Sequence, residues 1–197
     1  MSSANFDAAY EYIFKQLDNL DKNLYYHGKH HTIEDVLPCA IFLCKEENLN
    51  DEETLLVKTA ALYHDVGFLD QYEKNEPKGC EWAQKSLPNF GYSEKQIEQI
   101  CIIIMATQLP QTPKNSMSEV MCDADLGHLG SKKYFLRAEA LRLELELTYK
   151  KEIDLKSWNE GNIKFLENHK YFTKSGNKHF KEIKESWIQK TKNLIEH

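Results

Sequence analysis

Apolar positions recur at three- and four-residue steps along nearly the whole chain, the period of amphipathic helices. Phe6, Tyr10, Ile13, Phe14 and Leu17 predict a first helix, and Ile33, Val36, Leu37, Ala40, Ile41 and Cys44 a second. The apolar run Thr59 to Tyr63 ends abruptly in His64-Asp65 and is followed by Val66-Gly67-Phe68. Ile100 to Met105 is rich in β-branched residues, but its length and the capped polar lead-in from Ser93 to Gln99 mark a buried helix. Ser131 to Lys150 reads as a long helix exposed on one side, with Glu144 and Glu146 as an acidic flank. Asn177 to Glu196 reads as a final helix that docks through Phe180, Ile183, Trp187 and Leu194.

Punctuation supports the same division. Thr32 with Asp35, Ser93 with Gln96, and Ser116 with Glu119 have the spacing of capping boxes. Gly67 follows the His-Asp helix, Gly91 precedes Ser93, and Pro110 with Pro113 ends the Ile100 to Thr107 run. No repeat or Pro/Ser-rich linker marks an internal boundary. The expected fold is all-α: one domain spanning 1–197, a bundle of about eight helices without a sheet. Its motif core is 26–130, and the helices of 131–197 complete the bundle.

Composition narrows the function classes. At 197 residues, 41% apolar and 28% charged, the chain has the make-up of a packed globular domain. A net charge of −6 argues against a nucleic-acid polymer as main partner and leaves a small anionic ligand open. No stretch reaches the about 20 apolar residues of a membrane span, and the N-terminus lacks a secretory pattern, so a cytoplasmic location is expected. The cysteines (Cys39, Cys44, Cys80, Cys101, Cys122) are odd in number and without a Cys-x-x-Cys pair, so they read as reduced core residues.

Histidine and aspartate gather at three predicted helix ends: His27, His30 and His31 before the second helix, His64-Asp65 after the third, and Asp123 and Asp125 at the start of another. Imidazole nitrogen and carboxylate oxygen together suit a divalent transition ion, which promotes hydrolysis of phosphate esters.

The pattern Tyr26-His27-x-x-x-His31-Thr32, then Ala60-Ala61-Leu62-Tyr63-His64-Asp65-Val66-Gly67, then Asp123-Ala124-Asp125-Leu126 resembles the HD-domain superfamily of metal-dependent phosphohydrolases, over about Tyr26 to Gly130. Tyr72-x-x-x-Glu76 and Ala106-Thr107 before prolines extend the likeness to its small stand-alone bacterial members. The resemblance implies an all-helical fold and one divalent ion held by His31, His64, Asp65 and Asp125, with Asp123 as the alternative to Asp125. Mn, Fe, Co, Ni, Zn and Mg are all compatible with such donors. No histidine lies between Asp65 and His128, whereas dinuclear members carry further ones there, so one ion is expected and a cyclic-dinucleotide phosphodiesterase is not.

The implied substrate is a nucleotide or another small phosphate ester. Glu76, or the ligand Asp65, is the candidate proton acceptor. His27 stands as a group that orients the first ligand or touches substrate, against a polar helix-entry residue. His128, three residues after Asp125, stands between the metal and the surface, and His30 reads as exposed. Lys132, Lys133 and Arg137 are candidate phosphate partners, against a plain surface role. His169 and Tyr171, in the segment His169 to Thr173, are candidates to close over substrate, against a core plug. The competing class is a non-catalytic helical signalling or ligand-binding module. Loss of ligand residues marks such modules, and none is lost here. The sequence leaves the oligomeric state open, a homodimer included.

Overall fold

The computed structural model describes residues 4–196, and within them the chain is all helical, with no strand. Among the described residues nine α-helices form the expected bundle of about eight: α1 (Phe6–Gln16), α2 (Leu37–Glu46), α3 (Asp51–Tyr63), α4 (Asn75–Ser86), α5 (Glu94–Met105), α6 (Ser116–Asp125), α7 (Tyr134–Tyr149), α8 (Leu155–Asn168) and α9 (Lys174–Glu196). Tight 3-10 turns at Val66–Leu69 and Gly127–Gly130 follow α3 and α6. Among the described residues no helix is long and apolar enough to cross a membrane.

The bundle is organised around α3. Its last eight residues but one, Leu56 to Tyr63 without Lys58, are all buried, and α1, α2, α4, α5 and α6 pack on it. A second, smaller apolar cluster of Leu126, Leu129, Tyr134 and Leu166 takes Trp187 and Ile188 from α9. Helices α8 and α9 pack together, and α9 returns to the 127–130 turn and to α2. All five cysteines are free.

Local chemistry corrects several expected boundaries. Ser93 and Gln96 form the expected reciprocal cap of α5. The box of α6 lies one residue earlier than expected, because the Asn115 side chain accepts from Ser118 N–H. Thr32 caps nothing: it is buried inside a π turn, His31–Val36, where Leu37 N–H reaches back five residues to the Thr32 carbonyl. Asp35 instead receives Lys133 Nζ at 2.6 Å and Arg137 Nη2 at 2.5 Å. Asp123 and Asp125 end α6 rather than begin a helix. On α9 the inward residues are Phe180, Lys184, Trp187, Ile188 and Thr191, while Ile183 and Leu194 are exposed.

Candidate metal centre

Because the second half of α3 is buried, its C-terminus ends inside the protein, and His64 and Asp65 are buried where it stops. His64 Nδ1 lies 2.8 Å from the Ala61 carbonyl, an acceptor only, so Nδ1 carries a hydrogen and Nε2 is the atom turned to Asp65 and Asp125. At Asp65 the backbone leaves the helix (φ −106°, ψ 0°). Asn75 then donates through Nδ2 to the His64 carbonyl and to Asp65 Oδ1, both at 3.2 Å. That approach requires Gly67, where a Cβ would stand 2.0 Å from the Asn75 carbonyl oxygen. Gly67 is therefore a close-packing glycine rather than a simple helix stop.

His31, opening the π turn, and Asp125, closing α6, complete the group. Donor atoms of His31, His64 and Asp65 all lie within 4.8 Å of one another. His31 Nε2 is 3.2 Å from Asp125 Oδ1 and 3.6 Å from Asp65 Oδ2, and His64 Nε2 is 3.1 Å from Asp65 Oδ2 and 3.6 Å from Asp125 Oδ1. The four atoms thus alternate nitrogen and oxygen around a ring. Neighbouring ligands at tetrahedral angles and about 2.1 Å from a zinc-like ion would be about 3.4 Å apart, close to these four edges, while Asp125 stands outside the group whose donors all approach within 4.8 Å. His64 Nε2 and Asp65 Oδ2 are buried without a hydrogen-bond partner, which a bare site would carry at a penalty and an ion would relieve. The donor set and its orphaned atoms fit a divalent ion. Burial opposes charge on His64, but Asp65 and Asp125 outweigh it and raise its pKa well above the ordinary value. Burial pushes the carboxyls of Asp65 and Asp125 up, and the histidines outweigh it and hold both below the ordinary range.

Asp65 and Asp125 of the cluster line a cavity of about 530 Å³. Glu76 lines it, one carboxylate oxygen buried without a partner, and burial with Asp65 and Asp125 nearby raises its pKa. His27 lines it too, its Nδ1 2.5 Å from Glu144 Oε1. Glu144 is fully buried and also accepts from Tyr26 N–H (2.8 Å), His27 N–H (3.0 Å) and Tyr72 Oη (2.9 Å). Burial works against a proton on His27, yet the bond to Glu144, with Asp65 and Asp125, raises its pKa. Burial pushes His128 down to about 3 and so keeps it neutral; its Nδ1 is 3.3 Å from Tyr26 Oη. The Tyr26 ring packs against His27, His31 and His128 together.

The remaining expected residues separate cleanly. Arg137 lines the cavity, whereas Lys132 and Lys133 are exposed on the surface. Asp123 is turned away from the cluster: it accepts from Phe172 N–H, Thr173 N–H and Thr173 Oγ1, and so anchors the start of α9. His169 and Tyr171 do not line the cavity. The His169 carbonyl takes Lys184 Nζ, and Tyr171 is buried against Phe180. His30 is half-buried, not exposed.

Sequence reasoning took Glu144 for an acidic flank, whereas it is fully buried, and gave no bonding role to Asn75, Tyr72 or, beyond a helix cap, Asp35. Glu144 was findable, because it falls in register with Tyr134, Arg137 and Leu141, all facing inward, while Leu136, Leu143 and Leu147 face out. Comparison with known proteins gives no match to a family model, a curated protein or a solved structure.

Proposed function

We propose that the protein is a metal-dependent phosphohydrolase of the HD type, acting on a small phosphate ester. The observation that carries this reading is the ring of two imidazole nitrogens and two carboxylate oxygens, half of it without hydrogen-bond partners, opening onto a cavity. His31, His64, Asp65 and Asp125 would hold the ion. A divalent ion there supplies a Lewis acid that acidifies water and offsets charge developing on a phosphoryl oxygen.

The protein's own groups supply the proton steps. Glu76, with a raised pKa and an unpartnered oxygen facing the cavity, accepts the proton of the attacking water. His27, held through Nδ1 by Glu144, has Nε2 as its only uncommitted nitrogen, and its raised pKa suits donation to the leaving oxygen. Asn75 fixes the Asp65 carboxylate, and Arg137, steadied by Asp35, presents a cation to the phosphoryl oxygens.

Metal analysis, thermal unfolding and a phosphatase screen with each divalent ion in turn test the proposal together. The expected result is about one ion per chain, a rise in Tm with that ion, and ion-dependent release of phosphate. Asp65→Ala should lose all three. Absence of ion binding, or hydrolysis undiminished in Asp65→Ala, would sink the proposal.

A further inference from the structure

The cavity extends well past the cluster. Part of its lining is an apolar wall built by the 127–130 turn, α7 and α8, from Leu129, Leu141, Leu145, Trp158 and Phe165. A volume of about 530 Å³ holds on the order of 15 to 20 non-hydrogen atoms at the ~30 Å³ each water occupies in the liquid. One phosphoryl group fills only a small share of that. The remainder faces mostly hydrocarbon and aromatic surface, in the manner of pockets that bury an apolar ligand body and orient it by a few polar groups.

Charge at the polar end limits the head of the ligand. Asp65, Glu76 and Asp125 all line the cavity; among the described residues its one Lys or Arg is Arg137, already paired with Asp35 at 2.5 Å, and His27, whose pKa is raised, is already paired with Glu144. Lys132 and Lys133 lie outside. With one ion added, there is compensation for one phosphoryl group, not for the stacked charges of a di- or triphosphate.

We propose that the wall formed by Leu141, Leu145, Trp158 and Phe165 is a specificity pocket, and that the substrate is a phosphomonoester of a hydrophobic or aromatic alcohol. This rests on the phosphohydrolase reading for turnover, but the pocket can be tested without it. Gly161 lines the wall from the middle of α8, and a Cβ there would meet nothing within 4 Å. Leucine favours helix more than glycine does, so Gly161→Leu adds bulk at the exposed edge of the pocket wall while sparing the fold and the cluster.

The test measures kcat/KM of the full chain for 2-naphthylethyl phosphate, glycerol 3-phosphate, a nucleoside monophosphate and ATP, with a divalent ion present. The first two are both alkyl esters, so their leaving groups are comparable. Calorimetry with the non-hydrolysable 2-naphthylethylphosphonate reads binding separately. Expected is a preference of roughly 10–100-fold for the naphthylethyl ester over glycerol 3-phosphate, a size typical of apolar-pocket discrimination, with the nucleoside monophosphate also poorer and no turnover of ATP. Gly161→Leu should lower the naphthylethyl value about tenfold, leave glycerol 3-phosphate unchanged, and weaken phosphonate binding. Equal rates on the two alkyl esters, preference for either nucleotide, or phosphonate binding indifferent to Gly161→Leu overturns the pocket and leaves the hydrolase reading standing. Phosphonate binding that Gly161→Leu abolishes, with no ester turned over by any ion, supports the pocket and overturns the hydrolase reading.

Discussion

Glu144→Ala should be among the most destabilising single changes in the protein, although the residue touches none of the four expected metal ligands. Its carboxylate is fully buried and accepts four bonds, two from the backbone at Tyr26 and His27, one from Tyr72 and one from His27 Nδ1. Removing one partner of a buried ionic pair costs about 3–5 kcal/mol, because the other groups stay behind without an acceptor. For a chain of this size that is a fall in Tm of roughly 6–20 °C. Urea titration across pH gives a second signature. His27 has a folded pKa raised above the ordinary 6.5, so its share of stability is present below about 6.5 and is lost as pH rises through the folded value. Burial opposes ionisation of Glu144, yet His27 and the backbone donors hold its folded pKa below the ordinary 4.5, so its share is present above about 4.5 and is lost as pH falls through the lowered value. The difference between wild type and Glu144→Ala should therefore be greatest between about 4.5 and 6.5 and should shrink on the alkaline side. A difference below about 1 kcal/mol, or one that widens at alkaline pH, would refute the pairing.

Two further changes separate chemistry from architecture. Glu76→Gln should cut kcat by about 10²–10⁴-fold while leaving the ion-dependent rise in Tm intact. Since the acceptor must be ionised and its pKa is raised, the wild-type rate should climb with pH through a limb above 4.5 that the variant lacks. Asp123→Ala should instead lower stability by about 3 kcal/mol, through the donors of Phe172 and Thr173 left without an acceptor, with divalent-ion affinity by calorimetry unchanged. Loss of ion affinity with stability unchanged would show that Asp123 reaches the ion.

The helices were legible because burial imposes a period, and α1 and α5 follow theirs, with Ala9 and Ile13, and Ile97, Ile100, Ile103 and Ile104, turned inward. The three chain segments that supply His31, His64-Asp65 and Asp125 could be named from residue type, since few other reasons place such pairs beside apolar runs. The groups that hold those segments were less visible. Asn75 acts at His64 and Asp65 only because Gly67 lets two backbones meet, a contact that leaves no periodic trace. Asp123 and Asp125 are two residues apart but point to different neighbours, and only the position of Thr173 decides which way Asp123 faces. On α7 the leucines misled: three of them lie on the exposed side, and the buried side carries a glutamate and an arginine.

The π turn at His31–Val36 holds one residue more per turn than the helix that continues from it. In a regular helix each residue advances by about 100°, so the direction of His31 would be locked to that of Val36, Ala40 and Leu43 in the core. The additional residue breaks that lock. His31, which faces Asp65 and Asp125, is thereby offset from the phase of the side chains that fill the bundle, and the offset lasts only as long as the π turn does. Length, not composition, is then the constraint on this segment: deleting a single residue between His31 and Val36 should do more harm to the site than several conservative exchanges along α2.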